Sequence, residues 1–159
     1  MSSMECLLDA NRGKLFAYLL RVAGDSDTAR DILQESVTRC IERYRDRDIS
    51  LSLLFTVARN TFIDHVRKSG RNVVFEDLHA DPRADQEHTA IVRDRFRKVL
   101  QGLQTLREDE RDILSMVVSS DLSYEEISRV TAMSVSNVKV TVHRARIKLK
   151  KYLEGEGHG

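Results

Sequence analysis

The stretch LSYEEISRVTAMSVSNVKVTVHRARIKLKKYL, residues 122–153, decides the fold of this chain. Ser123-Tyr-Glu-Glu126 has the S/T-x-x-E spacing of a capping box, which predicts that a helix begins there. A tight turn around Met133 follows, and Ser134 stands where it can cap a second helix that is rich in Lys and Arg. Two helices joined in this way predict a helix-turn-helix whose second helix enters the major groove of DNA.

The last predicted helix carries its apolar residues at steps of four, three and four, at Val138, Val142, Ala145 and Leu149. Residues 138–142 also alternate with period two and are rich in β-branched residues, so alone they are compatible with a strand. The twelve-residue stripe and the lack of a hairpin partner favour the helix. The candidate DNA contacts are the polar side chains off this stripe, namely Ser136, Asn137, Lys139, Thr141, Arg144 and Lys148. The alternative is a solvated basic surface helix.

Composition is consistent with a helical protein, because 41% of the 159 residues are hydrophobic, 32% are charged and only one is proline. The net charge of +1 hides an asymmetry: residues 137–152 contain six Lys or Arg and no acid, whereas residues 72–93 contain five acids and two bases. No apolar run approaches the roughly 18 residues that cross a bilayer, and the N-terminus does not resemble a signal peptide. We therefore expect a cytoplasmic protein without membrane insertion.

Helical periodicity predicts three amphipathic helices before residue 71. The first runs to about Val22, the break at Gly24–Asp27 supplies cap candidates for the second, and the third ends near Ser69. The polar stretch 45–52 is predicted to be a loop. Periodicity resumes at Ile91, and Thr105–Glu108 also has capping-box spacing, which predicts a further helix start.

Residues 71–87 lose the periodicity, turn acidic and contain Pro82, so they are the best linker candidate. We predict an all-α fold of two small helical domains joined by a flexible acidic linker. The domains are residues 1–71 and 94–154, the linker is 72–93, and 155–159 form a disordered tail. An acidic linker between two partly basic domains further suggests a compact, self-occluding free protein.

A second polar face is predicted on the third helix, where Asn60, Asp64, Arg67 and Arg71 recur every three or four residues, with Lys68 beside them. Such a face suits a second nucleic-acid contact. It is equally compatible with an ordinary solvated surface that contains an Asp64–Lys68 ion pair. The acidic and amide side chains at the edge of the second helix carry no chemical signal beyond solvation; they are Asp31, Gln34 and Glu35.

The sequence contains no pattern that indicates catalysis. Its five histidines form no H-E-x-x-H or His/Cys cluster, and neither a P-loop nor G-x-S-x-G occurs. Cys6 and Cys40 lie far apart and are expected to be reduced thiols, with Cys40 in the core. We expect no catalytic residue, no cofactor and no metal site.

Several motifs resemble one known family. Ala29-Arg-Asp-Ile-Leu-Gln-Glu35, Phe55-Thr-Val-Ala-Arg-Asn60 and Asp64-His-Val-Arg67 resemble region 2 of bacterial sigma factors. The motifs that resemble region 4 of the same family are residues 106–111, 122–127, 138–139 and 143–146. Both regions in so short a chain, without room for a full region 3 domain, resemble the extracytoplasmic-function (group IV) sigma factors of the sigma-70 family.

This resemblance implies a transcription initiation factor that binds core RNA polymerase, recognises the −35 and −10 promoter elements and aids DNA melting. Asp31, Gln34 and Glu35 then match the segment that docks on the β′ clamp helices, which replaces the solvent interpretation. The loop 45–52 with Asn60, Asp64, Arg67, Lys68 and Arg71 matches the −10 reader. The last helix matches the −35 reader. Implied partners are core RNA polymerase through its β′ clamp helices and β flap, double-stranded and locally melted promoter DNA, and an anti-sigma factor.

The chain also departs from the family pattern. Members often have a Trp near Leu53, a Pro where Arg107 stands, a turn Gly where Ala132 stands and a basic residue where Thr141 stands. Two other functions fit the residues without the resemblance: a stand-alone helix-turn-helix regulator of LuxR type, and a helical adaptor that never reads DNA.

Overall fold

The structure, a computed structural model, describes residues 3–45, 47–69 and 86–155. These ranges form seven α-helices and no strand. The helices are α1 (Ser3–Ala23), α2 (Ser26–Tyr44), α3 (Leu51–Ser69), α4 (Gln86–Gln104), α5 (Glu108–Ser119), α6 (Tyr124–Thr131) and α7 (Val135–Gly155). The all-α prediction is confirmed.

Helices α1, α2 and α3 form an N-terminal unit around fully buried side chains that include Leu15, Tyr18 and Phe55. The Tyr18 and Phe55 rings meet edge to face with centroids 5.8 Å apart. The chain turns between α1 and α2 at Gly24, whose φ of +79° suits glycine, and Asp25 caps α2 by accepting a hydrogen bond from the Thr28 amide at 3.0 Å. The predicted break at this point is confirmed.

Helices α4 to α7 form a C-terminal unit that contains the predicted helix-turn-helix as α6 and α7. The Ser123 capping box is confirmed: the Glu126 amide donates to Ser123 Oγ at 3.1 Å and the Ser123 amide donates to Glu126 Oε1 at 3.0 Å. Residues 138–142 are helical within α7, not a strand. Gly102 lets α4 lie close to α7, because a Cβ there would lie 2.6 Å from Leu149 Cδ1.

Several predicted boundaries are wrong. Leu51 and Ser52, which were predicted to belong to a loop, are the first residues of α3. Thr105 does not cap a helix; its hydroxyl donates to the Gly102 carbonyl, and α5 begins only at Glu108, where the Arg107 amide donates to Glu110 Oε1 at 3.1 Å. Helix α4 begins at Gln86, so the last eight residues of the predicted linker are helical. The rest of that linker, residues 72–85, and tail residues 156–159 lie outside the described ranges. Gly155, which was placed in the predicted tail, is the last residue of α7.

The turn between α6 and α7 contains a residue in a conformation that L-amino acids disfavour. Ala132 has φ +59° and ψ +25°, the left-handed region in which glycine is the usual occupant. We expect Ala132→Gly to raise the free energy of unfolding by about 1 kcal/mol, because it removes the left-handed penalty of the β-carbon. Urea denaturation measures the change. The exposed helical Ala10 provides the control, since Ala10→Gly is expected to lower stability; an equal loss in both variants would contradict the account.

The two units lie against each other, in agreement with the predicted compactness. The predicted self-occlusion is not seen, because Arg67 of α3 and Lys139 and Arg144 of α7 are exposed. Helix α5 packs on α1 and α6 packs on α3. Asp112 of α5 accepts hydrogen bonds from the buried Tyr18 hydroxyl and, at 2.7 Å, from Arg59 Nε, and Lys14 pairs with Asp121. We call this packing of the two units the closed arrangement. No helix in the described ranges is both long and apolar enough to cross a membrane.

Candidate nucleic-acid interface

Helix α7 is fixed in orientation by a cap at its start and a buried stripe along its length. Ser134 Oγ accepts a hydrogen bond from the Asn137 amide at 3.1 Å, as predicted. Val138, Val142 and Ala145 are buried against the rest of the C-terminal unit. The opposite side of α7 is therefore presented outward, beginning with a helix N-terminus whose amides suit phosphate groups.

Five of the six predicted contacts on α7 are exposed, namely Ser136, Asn137, Lys139, Arg144 and Lys148. His143 and the 44%-exposed Val140 lie on the same outward side, and neither was a predicted contact. Their signal was available in the spacing, because Val140 and His143 fall outside the stripe of Val138, Val142 and Ala145. The N-terminal half of the outward side thus combines hydrogen-bonding groups, cations and the apolar side chain of Val140.

Thr141 was predicted to face away from the apolar stripe, and this is wrong. Its side chain is buried, with only 7% of the residue exposed. The physical reason is helical spacing: Thr141 lies three residues after Val138 and four before Ala145, which places it on the same side of α7 as both. Thr141 is not available to DNA in the closed arrangement.

Lys148, the sixth predicted contact, is held by an ion pair. Its Nζ lies 2.8 Å from Glu110 Oε2, and the Glu110 side chain is only 4% exposed at the start of α5. Burial acts to raise the pKa of Glu110, but the hydrogen bonds from Lys148 and from the Arg107 amide outweigh it, so the pKa lies below its ordinary value. The pair ties α7 to α5.

The lowered pKa of Glu110 predicts how the free energy of unfolding depends on pH. A carboxyl with a lower pKa in the folded state than the ordinary value of about 4.3 stabilises the fold above that pH, and loses the contribution as pH falls through its folded pKa. We expect wild type to be more stable than Glu110→Gln at pH 7, and the difference to shrink as the pH falls below about 4. Urea denaturation at each pH measures it. A difference that does not change with pH would contradict this role of Glu110.

Only some of the residues in the predicted polar face on α3 are exposed. Asn60, Arg67 and Lys68 are exposed, so the closed arrangement does not cover them. Asp64 is half-buried and pairs with Arg39 of α2 at 3.0 Å rather than with Lys68. Arg71 lies outside the described residues. The face therefore presents an amide and two cations, with Asp64 held against α2.

The predicted polymerase-binding edge of α2 is exposed at all three positions, Asp31, Gln34 and Glu35. Glu35 Oε1 accepts a hydrogen bond from Arg39 at 3.0 Å, and the same guanidinium binds Asp64. Arg39 thereby links this edge to the α3 face. The two surfaces therefore lie on the same N-terminal unit.

Two concave regions lie beside these surfaces. A cavity of about 620 Å³ between the units is lined by apolar side chains, including Phe62, Ile63 and Val66, and by charged ones. A second, of about 470 Å³, lies among α4, α5 and α7, where Val118 and Leu153 are exposed. Within the described ranges no three His, Cys, Asp or Glu side chains are grouped to hold a metal. Cys40 is buried, and burial raises the pKa of its thiol.

Comparison with known proteins identifies counterparts of both units. Residues 7–72 match the family described as Sigma-70 region 2, and residues 96–149 match Sigma-70, region 4. The chain is 31% identical over 140 residues to the ECF RNA polymerase sigma factor SigM of Bacillus subtilis (strain 168), covering 86% of each. It is 29% identical over 146 residues to the ECF RNA polymerase sigma factor EcfG of Rhodopseudomonas palustris (strain TIE-1), covering 90% of this chain and 81% of that one.

The fold also resembles a solved structure, that of the sigma factor RpoE in complex with the anti-sigma factor NepR from Bartonella quintana. The TM-score is 0.75 at 22% identity, over 98% of this chain and 99% of that one. Identity at this level shows similarity of fold. The stand-alone LuxR-type regulator is not supported by any of these likenesses.

Proposed function

This chain belongs to the extracytoplasmic-function sigma factors of the sigma-70 family. On that premise we propose that α7 reads the −35 element and that α3 reads and helps to melt the −10 element. We further propose that α2 binds core RNA polymerase. The chain is a promoter-directing transcription initiation factor. The observation that carries the assignment of α7 is its outward side, where Asn137, Lys139 and Arg144 are exposed behind a capped N-terminus. Amide and guanidinium groups there can form hydrogen bonds to base edges, and the cations can pair with phosphate groups.

The −10 element is assigned to α3 and the loop before it. Asn60, Arg67 and Lys68 provide an amide and two cations on one exposed surface, and Ser50 Oγ fixes the start of α3 by accepting from the Leu53 amide at 3.2 Å. Single-stranded DNA is held by cations along its backbone and by pockets for unstacked bases. Arg71 belongs to the same proposed site by its place in the sequence.

The closed arrangement is the resting form in this proposal. Elements centred at −35 and −10 lie about 25 base pairs apart, or roughly 85 Å at 3.4 Å per step. A compact chain of this length has a radius of gyration of about 15 Å, so the closed arrangement cannot contact both elements. Residues 70–85, fully extended, reach about 55 Å. Separation of the units on the polymerase therefore lets α3 bind the −10 element while α7 binds the −35 element.

Two further partners follow from the same premise. The groove at Val118 and Leu153, with Arg146 and Lys150 beside it, is suited to an amphipathic helix with acidic flanks, and we assign it to the β flap of the polymerase. An anti-sigma factor is the second partner, supported by the complex in which the Bartonella quintana fold relative was crystallised.

DNA retention with and without polymerase tests the proposed function. Pooled genomic fragments are incubated with purified protein, with core RNA polymerase, or with both, and retained fragments are sequenced. We expect specific fragments only when both are present, because the closed arrangement cannot contact two elements. Specific retention by the protein alone would contradict the proposal and support an operator-binding regulator. Retention that does not depend on this protein would support the adaptor.

Asp31→Ala with Gln34→Ala tests the polymerase-binding edge. Both side chains are exposed, so we expect an unchanged melting temperature. Loss of two polar contacts at an interface should weaken binding to core polymerase about tenfold. Titration of labelled protein with core polymerase measures it, and Arg30→Ala on the same helix is the control. Equal affinities for both variants would remove this edge from the interface.

A further inference from the structure

Val140 is the exposed apolar side chain in the N-terminal half of the outward side of α7, and Ile147 is exposed on the same side two turns further along. Val140 is 44% exposed and lies two residues from both Val138 and Val142, which are buried. Two residues correspond to about 200° around a helix of 3.6 residues per turn. Val140 therefore points almost directly away from the core of the C-terminal unit, and no packing of the fold accounts for a branched apolar residue there.

The surroundings of Val140 define what can cover it. Lys139, His143 and Arg144 are exposed beside it, and Ser136 lies one turn before it. A cationic rim around an apolar centre disfavours a second apolar helix and favours a polyanion that presents one apolar group. The major groove of DNA is such a surface, because the C5-methyl of thymine is its one apolar group.

We propose that Val140 contacts the methyl group of a thymine in the −35 element and makes that position specific. Val140 is the sixth residue of α7, about 8 Å from its start, within the part of a recognition helix that reaches base edges. The neighbouring Asn137 and Arg144 then supply hydrogen bonds, and Val140 supplies discrimination of thymine from cytosine. This inference rests on the proposed function of α7.

Deoxyuridine provides the test, since it differs from thymidine only in lacking the methyl group. Each thymine of a −35 element used by this protein is replaced singly by deoxyuridine, and run-off transcription is measured with core polymerase and the full chain. We expect one replacement to lower transcription about fourfold, the value of one buried methyl group. Val140→Ser should respond equally to thymidine and deoxyuridine at that position.

Ile147→Ala is the matched control, because Ile147 is 43% exposed on the same side but two turns further along α7. It should retain the deoxyuridine effect. If no thymine shows a Val140-dependent effect while transcription itself is promoter-specific, the inference is wrong and the proposed function stands. If the protein directs no promoter-specific transcription at all, the proposed function is wrong, and the inference about Val140 is wrong with it. Because Val140 is exposed, Val140→Ser should fold with an unchanged melting temperature.

Discussion

Lys139→Ala combined with Arg144→Ala should lower promoter-dependent transcription about 100-fold. Both side chains are exposed on the outward side of α7, and loss of a base-edge or phosphate contact costs about 1–3 kcal/mol each. Neither residue contributes to the buried stripe, so the fold should be retained. Run-off transcription with saturating core polymerase measures the loss, and a thermal melt verifies folding.

The control for this variant removes two cations from the same unit. Arg95 and Lys98 are exposed on α4, away from the assigned DNA contacts, and their replacement by Ala changes the net charge equally. We expect transcription to fall less than threefold. Transcription that survives intact in the Lys139 and Arg144 variant would mean that α7 does not read DNA. An equal loss in both variants would mean that only overall charge matters.

Asp112→Ala should open the closed arrangement. Asp112 accepts from both Tyr18 and Arg59, and the Arg59 and Asp112 side chains are only 24% and 18% exposed. Burial, and then the charge of Asp112, raise the pKa of Tyr18 well above its ordinary value, so its hydroxyl stays protonated and needs an acceptor. Removing that acceptor should disfavour docking of the units by about 2–3 kcal/mol. Small-angle scattering should then give a radius of gyration clearly above that of wild type.

Asp121→Ala provides the control for Asp112. The Lys14–Asp121 pair also joins the two units, but its side chains are 41% and 72% exposed, and such surface pairs contribute at most about 1 kcal/mol. Its scattering curve should match wild type. If Asp112→Ala also scatters as the compact wild type, the contact at Asp112 does not hold the units together. If both variants expand, the closed arrangement rests on surface charge rather than on the buried contact.

The features that the sequence predicted well depend on residues close together in the chain. The caps at Asp25, Ser123 and Ser134 involve amides at most three residues away, so spacing alone identifies them. The choice of helix over strand for residues 138–142 was likewise correct because the apolar stripe continued to Leu149. Composition could not have distinguished the two.

What the sequence missed depends on contacts between distant residues. Lys148 pairs with Glu110, 38 residues earlier, and Asp64 pairs with Arg39, 25 residues earlier, so neither partner follows from i, i+4 spacing. Asp112, which is 53 residues from Arg59, was not predicted as a functional residue at all. The cap at Thr105 failed because S/T-x-x-E also occurs by chance in a turn. The polymerase-binding edge of α2 remains a prediction that rests on the family resemblance.

Run-off transcription on pooled genomic fragments tests whether this chain directs core RNA polymerase to specific promoters. Purified core RNA polymerase is supplied with or without this protein, and the 5′ ends of the transcripts are mapped. We expect new, defined start sites that share sequence elements near −35 and −10, and that disappear with the Lys139 and Arg144 variant. Transcripts that are identical with and without the protein would contradict its assignment as a promoter-directing initiation factor.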